Sequence, residues 1–166
     1  MLNVRKFTQN REQTEQHVSI ATDERLQGLV NLPVAMQLAL SGDVVDKRPI
    51  LQGKVTSEVT ATCQVCNEIV KWQHQFAFDV HPVEEDELDS LDDTMDPVII
   101  NEGMLDLDDL LVNELILSLP TVVTHAQVMG EDCSANVSMS VGDKIAEKPS
   151  PFAVLEQLKS SKLDDE

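Results

Sequence analysis

Cys63-Gln-Val-Cys66 is the sharpest short motif in this sequence. Two cysteines separated by two residues fit a tight turn that points both sulfurs at one ion. A structural zinc needs four ligands, and the chain offers two more in His125-Ala-Gln-Val-Met-Gly-Glu-Asp-Cys133. The candidate metal set is therefore Cys63, Cys66, His125 and Cys133, with zinc as the implied ion. The spacing of the second pair is loose for a zinc ribbon, so a second reading stays open. In it Cys63 and Cys66 fill a turn, Cys133 is a thiol in a linker, and His125 is a surface histidine. A thioredoxin-like redox site fits poorly. That chemistry needs a helix N-terminus to lower a thiol pKa, whereas this pair falls between two strands with Glu68 following it.

The second chemical feature is charge. From Trp72 to Asp143 there is no Lys or Arg, yet there are seventeen Asp and Glu. The first 71 residues are neutral overall, so the formal net charge of −18 sits almost wholly in one block. Such a surface repels phosphate, because nucleic-acid affinity comes largely from Lys and Arg displacing counterions. It attracts basic proteins and raises their rate of encounter. The densest run is Glu84-Glu-Asp-Glu-Leu-Asp-Ser-Leu-Asp-Asp93. Its acids Glu84, Glu85, Asp86, Glu87, Asp89, Asp92 and Asp93 are candidate partner-binding residues, and a solvated loop that keeps the chain soluble is the alternative. The tail adds Phe152, Leu155 and Leu158, which share one side of a short helix that either docks in a partner's groove or packs on the protein's own sheet.

No catalytic grouping stands beside these. G-x-S-x-G, the phosphate-cradling G-x-x-x-x-G-K and H-E-x-x-H are all missing. The acids lack the spaced Asp/Asn pattern of an EF-hand loop. The expectation is a protein that is not an enzyme. Aromatics are too few, with one Trp, four Phe and no Tyr, for a platform that stacks single-stranded bases. No apolar run suggests a secretory leader or a membrane span, and three cysteines suit a reducing compartment, so a cytoplasmic location is expected.

The elements that must position these residues are read from periodicity. Pro33–Ser41, Ile50–Cys63 and Ile69–Val80 each alternate apolar and polar residues, the mark of half-buried strands in an antiparallel meander. The metal pair thus sits between the second and third of them. Asp106–Leu119 predicts a helix with acids in its first turn, Leu107, Leu110, Leu111, Leu115 and Leu117 on its apolar face, and Pro120 as its stop. The expected class is α+β: an antiparallel sheet or partly closed barrel with this leucine-rich helix and a short C-terminal helix. The expected organisation is a flexible N-terminus over 1–14, a domain over 15–129 with an acidic loop at 82–97, a linker over 130–150, and a C-terminal helix and tail over 151–166.

Three stretches together resemble a known family. They are Thr62-Cys-Gln-Val-Cys66, Ile100-Asn-Glu-Gly-Met-Leu-Asp-Leu-Asp-Asp-Leu-Leu-Val-Asn-Glu-Leu-Ile-Leu-Ser-Leu-Pro120 and Lys148-Pro-Ser-Pro-Phe-Ala-Val-Leu-Glu-Gln-Leu-Lys159. In this order they resemble the YceD family, the bacterial and plastid large ribosomal RNA subunit accumulation proteins, and the Pro-Phe-Ala-Val-Leu ending resembles its proteobacterial branch. The resemblance implies a role in synthesis, processing or stability of 23S-type rRNA. Family members usually read Cys-x-Arg-Cys, where this chain has Val65, and other branches carry further cysteine pairs after the leucine-rich helix. The resulting expectation is a non-catalytic ribosome biogenesis factor whose acidic surface binds a basic ribosomal protein or large-subunit assembly factor, reaching rRNA indirectly. The alternative is direct rRNA binding through Arg5, Lys6, Arg11, Lys47 and Arg48.

Overall fold

The alternating segments become the strands of a curled sheet. In this computed structural model, which describes residues 1–90 and 95–133, the chain begins with β1 (Leu2–Asn3), α1 (Val4–Gln9) and β2 (Gln13–Ile20). A 3-10 turn at Glu24–Leu26 leads to three long strands, β3 (Val34–Val45), β4 (Arg48–Thr62) and β5 (Ile69–Val83). A 3-10 helix at Glu85–Ser90 then precedes β6 (Pro97–Ile99), β7 (Met104–Leu105), α2 (Leu107–Ser118) and α3 (His125–Met129). The sheet order is β2-β3-β4-β5-β6. The first four strands pair antiparallel, as period-two patterning predicts, and short β6 joins the end of β5 in parallel. The class is α+β, a curled, mixed half-barrel.

One face of each long strand is buried. Val34, Met36, Leu38 and Leu40 of β3 and Leu51, Val55 and Val59 of β4 enter one core with Leu110, Leu111, Val112 and Leu115 of α2. The helix packs against β2 and β5, so it fills the open side of the curl. Asp106 caps it by accepting the backbone N–H of Asp108 at 3.1 Å and of Asp109 at 3.4 Å. Its buried stripe differs from the expected one by a single step: Val112 is buried and Leu117 is exposed. Arg25 fastens the 3-10 turn to the helix through Asp109 and Asn113, each at 2.8 Å.

The expected flexible start over 1–14 is corrected. Asn3 caps α1 by accepting the Lys6 N–H at 2.9 Å, and Val4 and Phe7 are buried in the main core. The Phe7 ring lies against Gly42 of β3, where a Cβ would fall 2.6 Å from it, so the helix can seat closely only because that residue is glycine. The gap between the strands expected over Pro33–Ser41 and Ile50–Cys63 shrinks to Asp46-Lys47, both at positive φ, with β3 and β4 paired up to Val45 and Arg48. The loop expected over 82–97 begins and ends in strand and contains a 3-10 helix over Glu85–Ser90. At the start of the linker expected over 130–150, Gly130 caps α3 in the left-handed conformation and 131–133 lead to the candidate metal cluster, while 134–150 lie outside the described residues. The expected C-terminal helix over 151–166, with Phe152, Leu155 and Leu158, lies outside the described residues, as do Asp92 and Asp93.

Candidate functional site

The turn between β4 and β5 is tied by its own backbone. Cys63 N–H donates to the Glu68 carbonyl at 2.8 Å and Asn67 N–H to the Cys63 carbonyl at 2.9 Å, with Asn67 in the left-handed region that the reversal requires. This geometry brings Cys63 and Cys66 to the same side. After Pro120 the chain returns along the turn, where Gln64 N–H donates to the Val123 carbonyl at 2.9 Å. Thr124 caps α3 through its side chain at 3.1 Å, which places His125 at the first helical position. Five residues later Gly130 reverses the chain and brings Cys133 back to His125. The seven-residue gap that looks loose in the sequence is thus one short helix plus its glycine cap.

The four side chains converge. Cys63 Sγ lies 3.6 Å from Cys133 Sγ. His125 Nδ1 lies 3.5 Å from Cys66 Sγ and 3.6 Å from Cys133 Sγ. All four donor atoms fall within 4.8 Å of one another. A tetrahedral ion with sulfur at about 2.3 Å and nitrogen at about 2.05 Å would set sulfurs about 3.8 Å apart and sulfur about 3.6 Å from nitrogen. These three separations match the edges of a tetrahedron of that size and all pairs stay within 4.8 Å, so the cluster could bind a metal. Beneath it lies a small apolar layer of Ala61, Val70 and Val123, separate from the main core.

The electrostatics suit thiolate ligation. Burial by itself raises the Cys63 pKa, but N–H groups of Cys66, Val65 and His125 and the His125 ring all aim at its sulfur and bring it down to about 5. The net shift of Cys133 is opposite: burial raises it as well, and hydrogen bonds and charge repulsion from Cys63 and Cys66 add to the push, taking it to about 11. Cys63 is thus the thiol more disposed to ionise and Cys133 the one more disposed to keep its proton, and a bound cation would favour the thiolate of both. Glu68 Oε2 stands 3.9 Å from Cys66 Sγ as an outer acceptor.

The acidic candidates lie at the opposite end of β5. Glu85, Asp86 and Glu87 are exposed on the 3-10 helix, whose backbone Asp89 also belongs to, while Glu84 is half-buried and accepts the Gly103 N–H at 2.8 Å. The five basic candidates do not form one patch. Arg11 pairs with Asp43 at 3.0 Å, whereas Arg5, Lys47 and Arg48 line a groove beside the acids. Glu102 and His81 line the same groove and were not legible as site residues, since only the fold brings the Asn101–Gly103 turn beside the end of β5.

Comparison with known proteins matches the sequence to a family. The family model described as "Large ribosomal RNA subunit accumulation protein YceD" matches residues 51–159, well over half of the chain. The chain belongs to the YceD family. The Large ribosomal RNA subunit accumulation protein YceD of Haemophilus influenzae is 37% identical to it over 144 residues, covering 82% of this chain and 81% of that protein. No solved structure matches. The YceD name ties the family to accumulation of large-subunit rRNA and names no reaction. Among the described residues, no helix is long and apolar enough to cross a membrane.

Proposed function

We propose that this YceD protein is a non-catalytic, cytoplasmic ribosome biogenesis factor. It holds a basic ribosomal protein or large-subunit assembly factor on its acidic surface and supports 23S rRNA indirectly. The observation that carries this reading is the segregation of charge: everything after Trp72 up to Asp143 lacks Lys and Arg. That stretch includes the second half of β5, the exposed acids of the 3-10 helix and the outer face of α2 with Asp106, Asp108 and Asp109. Phosphate is repelled from such a surface, while a cationic protein releases counterions on meeting it. The four-residue cluster takes a structural zinc, with Cys63, Cys66, His125 and Cys133 as ligands. Bound there, the ion would pin α3 and the end of the described chain to the β4–β5 turn.

Complementation tests the acidic reading. A strain lacking the protein should accumulate less 23S relative to 16S rRNA, and the wild-type chain should restore the ratio. A chain carrying Glu84→Gln, Glu85→Gln, Asp86→Asn and Glu87→Gln should fold and yet fail to restore it. Full restoration by that variant would overturn the assignment of the acids.

A further inference from the structure

All three cysteines of the chain belong to the cluster with His125, and all three are free thiols. They are not equivalent. Cys63 is fully buried, while Cys66 and Cys133 are half-buried. Cys63 Sγ and Cys133 Sγ stand 3.6 Å apart. Cys66 Sγ instead meets His125 Nδ1 at 3.5 Å and Glu68 Oε2 at 3.9 Å. The sulfurs of a disulfide are about 2.05 Å apart, so joining Cys63 to Cys133 closes a gap of about 1.5 Å. One partner is fixed and the other is not. The Cys63 backbone is held at both ends, by its N–H to the Glu68 carbonyl at 2.8 Å and by its carbonyl from the Asn67 N–H at 2.9 Å. Cys133 follows the Gly130 cap in a stretch with neither helix nor strand, and α3 before it buries no residue fully.

We propose that Cys133 is a site of modification by hydrogen peroxide, with Cys63 as the thiol that resolves it, an inference that rests on the zinc assignment above. Cysteine ligands of a metal are thiolates, the nucleophilic form of sulfur. The half-exposed Cys133 thiolate attacks the peroxide O–O bond. Its sulfur is oxidised to a sulfenic acid, and the other oxygen leaves as hydroxide. The adjacent Cys63 thiolate then attacks the Cys133 sulfur, the S–O bond breaks, and a second hydroxide leaves. Two thiolates and one peroxide thus become one disulfide and two hydroxides. Only Cys66 and His125 then remain, two short of the four ligands of a structural site, and the metal is released. Cys133 stays joined to the β4–β5 turn, while His125 loses its anchor. Disulfides are transient in a reducing compartment, so reduction by thiols restores both ligands and makes the step reversible.

The test uses the full chain, with its zinc content measured first. Hydrogen peroxide in small excess should release the zinc to a chromogenic chelator and lower the free thiols from three to one per chain. Peptide mapping of the wild-type protein should place the bond between Cys63 and Cys133. Dithiothreitol followed by zinc should reverse both readings. Cys133→Ser should abolish the bond, whereas His125→Ala, which removes a metal ligand and no sulfur, should keep it, with circular dichroism confirming the fold of each variant. The mapping needs no variant, so it decides the pairing even where a variant misfolds. A bond between Cys63 and Cys66, sulfinic acid in place of a bond, or zinc retained with all thiols free would overturn the inference and leave the zinc assignment standing. A chain that binds no zinc and still joins Cys63 to Cys133 would overturn the zinc assignment and leave the thiol pair standing; if neither occurs, both fall.

Discussion

Removing the proposed zinc should release α3 while leaving the sheet intact. The helix has five residues and buries none of them fully, and a helix this short is marginal alone. Ordering Thr124–Cys133 costs roughly 1 kcal/mol per residue at the low end, so about 10 kcal/mol over the segment. Packing of Val123 and Val128 returns about 1.5–3 kcal/mol each, and the Thr124 cap about 1 kcal/mol. The shortfall is roughly 3–6 kcal/mol, and a structural zinc, with an apparent binding free energy of about 10–16 kcal/mol, exceeds it. Without the ion the segment should be open more than about 99% of the time. Hydrogen exchange with and without a strong zinc chelator reads this directly. The amides of Val128 and Gly130, which hold the helix, and of Gln64, which bonds Val123, should lose protection. Those of Leu38 and Val55 in the separate main core should keep it. His125→Ala should reproduce the chelator's effect. Equal protection of α3 in the metal-free protein would refute this reasoning, because packing alone would then hold the segment.

Leu111 is fully buried where α2 meets the sheet, so Leu111→Ala should cost about 2–5 kcal/mol in urea unfolding, with the slope unchanged. Gly53 lies under the Phe78 ring, where a methyl group would overlap the ring, so Gly53→Ala should cost about 1–3 kcal/mol. Adding Phe78→Leu should recover part of that loss in a double-mutant cycle. His74 lies between Trp72 and Phe76 and shares a 2.9 Å hydrogen bond with Ser118 of α2, and burial holds its pKa below the usual histidine value. The unfolded chain therefore binds the proton more readily, and His74's contribution is intact above about pH 6.5 and lost as pH falls through the lower folded value. His74→Gln should flatten the thermal melting profile in that acidic window. Glu114 acts oppositely: burial first and then Asp96 raise its pKa, so its neutral form favours the fold at low pH and that contribution is lost as pH rises through the raised value.

Long strands were legible because each shows one face to the core, and two residues per repeat is a strong local signal. On β5 the alternation over Ile69–Val80 puts Trp72, His74, Phe76, Phe78 and Val80 on the buried or half-buried face. What escaped is short or non-local. The N-terminal helix reads as polar and mixed in charge, and its anchors are only Val4 and Phe7, supported by the Asn3 cap. The β3–β4 hairpin turns on Asp46-Lys47, which lacks the Asn-Gly or Asp-Gly signature of such turns. For the metal cluster, Cys63 and Cys66 announce themselves by spacing, whereas His125 and Cys133 become a pair only through α3 and Gly130. The cues were local after all: Thr124 as a cap and Gly130 as a stop bracket that helix in the sequence. The groove had no such cue, since Arg5, Lys47, His81 and Glu102 come from four separate segments.

The most direct test of the central claim is an affinity pulldown of the full chain from a ribosome-containing lysate, at low and moderate salt, with and without nuclease. The account predicts that basic large-subunit proteins or assembly factors survive nuclease and wash off as salt screens the acidic surface. Recovery of rRNA fragments, with every protein lost on nuclease treatment, would contradict it and turn attention to Arg5, Lys47 and Arg48.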